Sequence, residues 1–245
     1  MAVRSEASLI PHIGIVGVSP EGSALCIRSI SREASRRLKP SEQPRLSLHN
    51  EPLPMYINAI RQGDWPAVAS LLRLSAEKLA SLGAEFCVTP DHAVQYALDL
   101  ASHESVIPWV GIPELLGNTI IQDGRKKVGL IGTKWVTAAS TYQTYLGIKG
   151  IQVHAPAEQD AEILDRIIIN ELVFGQVTAS SLEAVARIIR GLAERGCEAI
   201  ILGSSEAPLI INEQTCQLPV YDAGQILAKG VIDRAIRAGA GVLES

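Results

Sequence analysis

Two passages of this chain follow the same plan 113 residues apart. Lys78 to Phe86 leads into Cys87-Val88-Thr89-Pro90-Asp91-His92, and Gly191 to Ala199 leads into Ile200-Ile201-Leu202-Gly203-Ser204-Ser205. In each, apolar residues at helical spacing give way to a glycine turn, a short apolar run and a small or polar loop, the pattern of a helix feeding a buried strand. Setting Gly83 on Gly196 places Asp91 opposite Ser204. A duplication of this kind predicts two α/β lobes, each presenting one reactive position at the end of a strand, with a ligand held between them.

The rest of the chain fits the same alternation. His12 to Val18 reads as a strand and Pro20 to Leu38 as a helix, with Ser19 as its N-cap and Pro20 in the first helical position. Arg45 to Asn50 is a second strand, Leu53 to Gln62 and Asp64 to Leu82 are helices, and Glu85 to Thr89 is a strand with a helix beginning near Asp91 or His92. The order then recurs. Lys126 to Gly132 is a strand and Thr133 opens a helix. Gly150 to His154 is a strand, Ala157 to Phe174 is helical, and Ser180 to Arg195 is a helix before the strand Glu198 to Gly203. Leu218 to Asp222 and a helix to about Arg237 close the chain. Strands alternating with helices imply parallel sheets flanked by helices. The expected fold is therefore α/β with two pseudo-symmetric lobes and a cleft between them. The first lobe would be residues 1–108 with 216–245, and the second 109–215. Ligands of such sheets bind beyond the carboxyl ends of the strands, where four loops lie: Gly17 to Gly22, Thr89 to Ala93, Gly132 to Trp135 and Gly203 to Pro208.

Composition narrows the function classes. With 245 residues, 47% of them hydrophobic, the chain can bury a large core. A net charge of −4 without a clustered basic face argues against a nucleic-acid partner. No apolar stretch is long enough to span a membrane, and Met1 to Pro11 makes a poor export signal, so a cytoplasmic protein is expected. The four cysteines, Cys26, Cys87, Cys197 and Cys216, form no CxxC pair and have no metal-ligand spacing with the histidines, so no metal site is expected. Cys87 and Cys197 read as buried strand residues, while Cys26 and Cys216 are candidates to face the cleft.

The loops carry the chemistry. Gly17-x-Ser19-x-x-Gly22 falls short of a dinucleotide fingerprint, but free N–H groups at a helix start can hold a carboxylate. The same applies at Thr133 and at Ser204-Ser205. Asp91 and Ser204 are the pair singled out by the repeat; Asp91 alone reads as a helix N-cap, and its equivalence to Ser204 sets a functional role beside that reading. His92 has an ordinary pKa near neutrality and is a candidate acid or base. Glu206 is a candidate partner for a substrate ammonium, and His49, at a strand end, is another cleft candidate.

These residues resemble the aspartate/glutamate racemase superfamily, the cofactor-independent amino-acid racemases. The resemblance runs from about His12 to Ala238. Its most specific piece is Gly203-Ser204-Ser205-Glu206-Ala207-Pro208-Leu209, which is similar to the family's Gly-Cys-Thr-Glu-x-Pro-Leu. Pro90-Asp91-His92-Ala93 resembles a subgroup with Pro-Asp-Asn-Thr where typical members have Pro-Cys-Asn-Thr. The resemblance implies two-base proton transfer between the faces of an α-carbon, no metal or pyridoxal phosphate, a substrate carboxylate held by loop N–H groups and hydroxyls, and a homodimer. It also exposes departures. Asp91 and Ser204 stand at the two cysteine positions, His92 at an Asn, Ala93 at a Thr and Gln95 at a His. A serine hydroxyl is a far weaker acid than a thiol, whose pKa is about 8.5, and a free carboxylate is a feeble base unless burial strengthens it.

Asp91 and Ser204 are therefore the expected catalytic pair, with Ser19, His49, His92, Thr133, Ser205 and Glu206 as substrate-binding residues. The substrate would be a small carboxylic acid and the reaction racemisation, isomerisation or related one-base chemistry. Two alternatives stand beside it: a binding protein without turnover, and a Ser204-dependent hydrolase or acyl transferase with His92 or Asp91 as base.

Overall fold

Strands that are apolar along their whole length need cover on both faces, and each central strand here has it. The computed structural model describes residues 10–138, 140–212 and 214–243; residues 1–9, on which the reading of a poor export signal chiefly rests, lie outside it. The first half runs β1 (Ile13–Gly17), α1 (Pro20–Arg37), β2 (Leu46–Asn50), α2 (Leu53–Gln62), α3 (Trp65–Ser81), β3 (Phe86–Val88), α4 (Gln95–His103), β4 (Trp109–Val110) and α5 (Ile112–Gln122). The second runs β5 (Lys127–Gly132), α6 (Lys134–Ala138), α7 (Ser140–Gly147), β6 (Gln152–His154), α8 (Glu158–Asn170), α9 (Ala179–Glu194), β7 (Ala199–Gly203), β8 (Val220–Asp222) and α10 (Ala223–Leu243).

The strands form two parallel four-stranded sheets with matching orders, β2-β1-β3-β4 and β6-β5-β7-β8. The duplication extends to register. Gly14 pairs with Cys87, which pairs with Trp109; Gly129 pairs with Ile200, which pairs with Val220. Cys87 and Ile200 are 113 residues apart, the offset that sets Asp91 against Ser204. The two turn glycines share a left-handed backbone, with φ 90° at Gly83 and 83° at Gly196, a conformation that costs a residue with a Cβ.

Side chains alternate across each strand, and this sorts them into three packed layers. Ile13, Ile15, Phe86 and Val88 of the first sheet and Val128, Leu130, Ala199 and Ile201 of the second join one central cluster with α5 and α10. Val16 and Cys87 face the other way, onto α2, α3 and α4, as Ile131, Ile200 and Leu202 do onto α8 and α9. Helix starts are capped by side chains: Ser19 Oγ accepts from Gly22 N at 3.0 Å, Asp64 Oδ1 from Ala67 N at 3.0 Å and Thr178 Oγ1 from Ser181 N at 3.2 Å.

The fold departs from the sequence reading in a few places. The helix after β3 starts at Gln95, not at Asp91 or His92. Asp91 Oδ1 accepts from Ala93 N at 2.9 Å, so it closes a turn of its own and caps no helix. Around the expected 108/109 boundary, residues 107–112 hold the two-residue β4 and the start of α5. β4 belongs to the first sheet and β8 to the second, so the sheets do not divide at 108/109 and 215/216. α10 nevertheless packs back on α1, where Arg37 meets Asp233 at 2.7 Å. Among the described residues, no helix is long and apolar enough to cross a membrane.

Candidate active site

The carboxyl ends of β1, β3, β5 and β7 open onto one cavity of about 250 Å³. The loop after each strand contributes: Val18 and Ser19 after β1, Asp91 to Ala93 after β3, Thr133 and Trp135 after β5, and Ser204 to Glu206 after β7. Asp91 and Ser204 thus line the same space. Close backbone approach makes this possible. A Cβ on Gly22 would sit 2.6 Å from Ser19 Oγ and 2.8 Å from Ser205 Cβ, and one on Gly132 would sit 2.8 Å from Gly203 O.

Glu206 organises one side of the cavity. Its Oε1 accepts from Ser19 Oγ, and its Oε2 accepts from Ser204 Oγ at 2.7 Å and Ser205 Oγ at 3.2 Å. Ser19, Ser204 and Glu206 are all buried. A buried carboxylate needs such donors, and here they come from both halves of the chain. Asp91 faces this cluster with an environment of its own. Burial, then the nearby Glu206 charge, push its carboxyl up to about 7, against the lowering effect of the Ala93 and Val94 N–H groups.

His92 is buried, and its Nδ1 meets Tyr142 Oη at 2.5 Å, the two rings stacked with centroids 5.7 Å apart. Burial pushes its pKa down to about 3, so at neutral pH the ring is uncharged. It is a poor general base, and the side-chain partner of the Ser204 hydroxyl is Glu206. Thr133 Oγ1 is buried in the cavity wall without a hydrogen-bond partner, a donor open to a ligand oxygen. His49 stands apart. It does not line the cavity; its Nδ1 meets Ser75 Oγ of α3 at 3.0 Å.

All four cysteines are buried and unpaired, and none lines the cavity, including Cys26 and Cys216. Burial pushes the Cys26 and Cys87 thiols up to about 12, far from thiolate character. Among the described residues, no three His, Cys, Asp or Glu side chains gather as a metal site.

Several contributors escape sequence reasoning. Tyr142 reaches His92 across 50 residues of chain, with no local signal. Asn50, beside His49, turns to Ser23 Oγ at 2.8 Å and Val18 O at 3.3 Å. That position is open because Gly17 has no Cβ, which would lie 2.5 Å from Asn50 Cγ. The strand-end location was legible; which of two adjacent side chains serves the loop was not. The apolar wall from α2 is Leu53, Tyr56, Ile57 and Ile60. Its spacing marks one helix face, but not whether that face meets core or cavity.

A family model described as Asp/Glu/hydantoin racemase matches residues 15–231. The chain belongs to the Asp/Glu/hydantoin racemase family. Among solved structures it is similar to an Asp/Glu racemase candidate from Yersinia pestis, at 29% identity and TM-score 0.82, with 93% of this chain and 100% of that one covered. An aspartate racemase homologue from Pyrococcus horikoshii matches at 27% identity and TM-score 0.79, with the same coverage, 93% and 100%. The Picrophilus torridus aspartate racemase, at 22% identity, TM-score 0.78 and 91% and 94% coverage, shares the fold. Family and two-lobed architecture support a racemase or isomerase reading.

Proposed function

We propose that this protein moves a proton at the carbon next to the carboxylate of a small amino or dicarboxylic acid, without a cofactor, using Asp91 on one face and Ser204 on the other. The reading rests on one observation: two loop tips equivalent by sequence offset and strand register line a single cavity. The raised Asp91 pKa, about 7, adds to it. A carboxylate of that basicity takes an α-proton better than a free one, and both its forms are present near neutrality.

In this scheme the Asp91 carboxylate accepts the α-proton, and the electron pair of the broken C–H bond moves into the substrate carboxylate. Thr133 Oγ1 and the N–H groups at the loop ends bind the carboxylate oxygens that receive this charge. Return of the proton from Asp91 restores the starting configuration. Delivery from Ser204 inverts it, provided a solvent proton passes to the serine oxygen as its own proton leaves, and Asp91 then gives up its proton to solvent, which balances the turnover. Without such a relay a serine alkoxide is too unstable to form. The geometry gives the hydrolase alternative less support, because Ser204 is bonded to Glu206, while His92 is held by Tyr142.

The test is proton NMR in heavy water with a panel of amino and dicarboxylic acids. Deuterium is expected at the α-carbon with the wild-type protein. Asp91→Asn is expected to slow exchange by about 10²–10⁴-fold. Ser204→Ala is expected to keep exchange while losing inversion. A wild-type protein that binds these acids and exchanges none of their α-protons would overturn the proposal in favour of a binding role.

A further inference from the structure

We infer that the side chain of the ligand is apolar: the cavity is built for an α-amino monocarboxylic acid with an aliphatic or aromatic tail, and against a second carboxylate. The inference rests on the proton-transfer reading only for which end of the ligand reacts. It follows from the contrast between the two ends of the cavity.

One end is polar and holds Ser19, Asp91, Thr133, Ser204, Ser205 and Glu206. The other is mostly apolar, its polar groups being the Tyr56 hydroxyl, buried without a hydrogen-bond partner, and the Asn170 side chain. Helix α2 supplies Leu53, Tyr56, Ile57 and Ile60, a single face at positions i, i+3, i+4 and i+7. Helix α8 and the turn after it supply Ile168, Ile169, Val173 and Phe174, with Asn170 among them as the one polar side chain. Trp135 of α6, two residues after Thr133, also lines the cavity. The two walls come from corresponding helices, each following the second strand of its sheet.

The charges present decide the matter. The charged side chains lining the cavity are Asp91 and Glu206, and no Lys or Arg is among the lining residues. A ligand ammonium finds carboxyl acceptors there. The tail carboxylate of a dicarboxylic acid would be desolvated between largely hydrocarbon walls with no cation, where the polar groups are the Tyr56 hydroxyl and the Asn170 amide. Burying an unpaired charge costs enough to weaken binding by about 100-fold or more. Length does not make this choice, since the leucine and aspartate side chains have the same number of non-hydrogen atoms; polarity does. Phe174, 68% exposed at the cavity's edge, offers apolar surface that a tail would remove from water. Each methylene so covered strengthens binding by about fourfold.

The experiment is calorimetric titration of the full-length protein with leucine, methionine and phenylalanine against aspartate and glutamate, both enantiomers of each, with α-deuterium exchange followed on the same ligands. The apolar acids are expected to bind at least about 100-fold more tightly. Ile57→Arg, on a half-buried position of the apolar wall, is expected to narrow that preference by about tenfold or more, while leaving the polar end intact. Tight binding of the apolar acids without exchange supports the inference and overturns the proton-transfer reading. Aspartate or glutamate binding as tightly as leucine overturns the inference, and their exchange would at the same time uphold proton transfer. Failure of all the apolar acids to bind overturns the inference as well.

Discussion

At the residue scale the molecule gives Asp91 a basicity that a surface carboxylate lacks, and the same environment has a cost in stability. Its pKa is raised from 3.8 to about 7, first by burial and then by Glu206. Below the lower value the group is protonated in folded and unfolded chains alike. Between the two, the unfolded chain releases the proton while the folded chain keeps it, so this group lowers stability as pH rises, and the full penalty stands above about 7. Asp91→Asn keeps an oxygen for the Ala93 N–H and removes the charge. Its melting temperature at pH 8 is expected to exceed that of the wild type by about 2–4 °C, with the difference shrinking towards pH 4; scanning calorimetry across that range measures both. Glu206 acts on the same group from across the cavity. Glu206→Gln removes a negative charge that holds the Asp91 carboxyl up, so the acid limb of the α-proton exchange profile is expected to move to lower pH, while burial keeps it above 3.8. An unmoved limb would show that Glu206 does not tune this carboxyl.

At the element scale the two turn glycines make the duplication testable. Gly83 and Gly196 both have positive φ, and a Cβ meets little that cannot move: it would lie 3.7 Å from His12 Nδ1 at the first and 3.3 Å, a tight contact, from the end of the flexible Lys127 side chain at the second. The cost of Gly83→Ala or Gly196→Ala is therefore a backbone cost, expected at about 1–2 kcal/mol each and read by urea denaturation with unchanged m-values. These glycines also mark what the sequence made legible. Helical spacing, a glycine and a continuous apolar run locate β3 and β7 to within a residue or so, because strands covered on both faces have no polar alternation to confuse them. The first half of the site, the loops holding Ser19, Asp91, Thr133 and Ser204, followed from those strand ends. β4 did not: Trp109 and Val110 form a strand of two residues, too short for any periodicity and defined only by pairing with Cys87 and Val88. Nor did the role of Glu206, whose three hydroxyl donors meet only when the loops of two lobes are brought together.

At the scale of the whole molecule, the two lobes share hydrophobic substance. The inward faces of both sheets belong to one cluster, in which Leu227, Val231 and Ile232 of α10 pack with Leu116 and Ile120 of α5 and with Ile30 of α1. A lobe parted from the other would expose that face to water, so neither is expected to hold its structure while its neighbour unfolds. The cavity depends on this coupling, because Ser19 and Glu206 hold each other across it. The chain supplies its own reporters: Trp65 and Trp109 lie in the first half, and Trp135 lies in α6 in the second. Single-tryptophan variants retaining Trp65 or Trp135 are expected to give coincident denaturation curves. Leu227→Ala, at a position with no exposed surface, is expected to lower stability by about 2–5 kcal/mol and to move both curves by the same amount. If the mutation shifted one reporter and left the other in place, the lobes would be independent units, and the geometry of the cavity would then owe nothing to the common core.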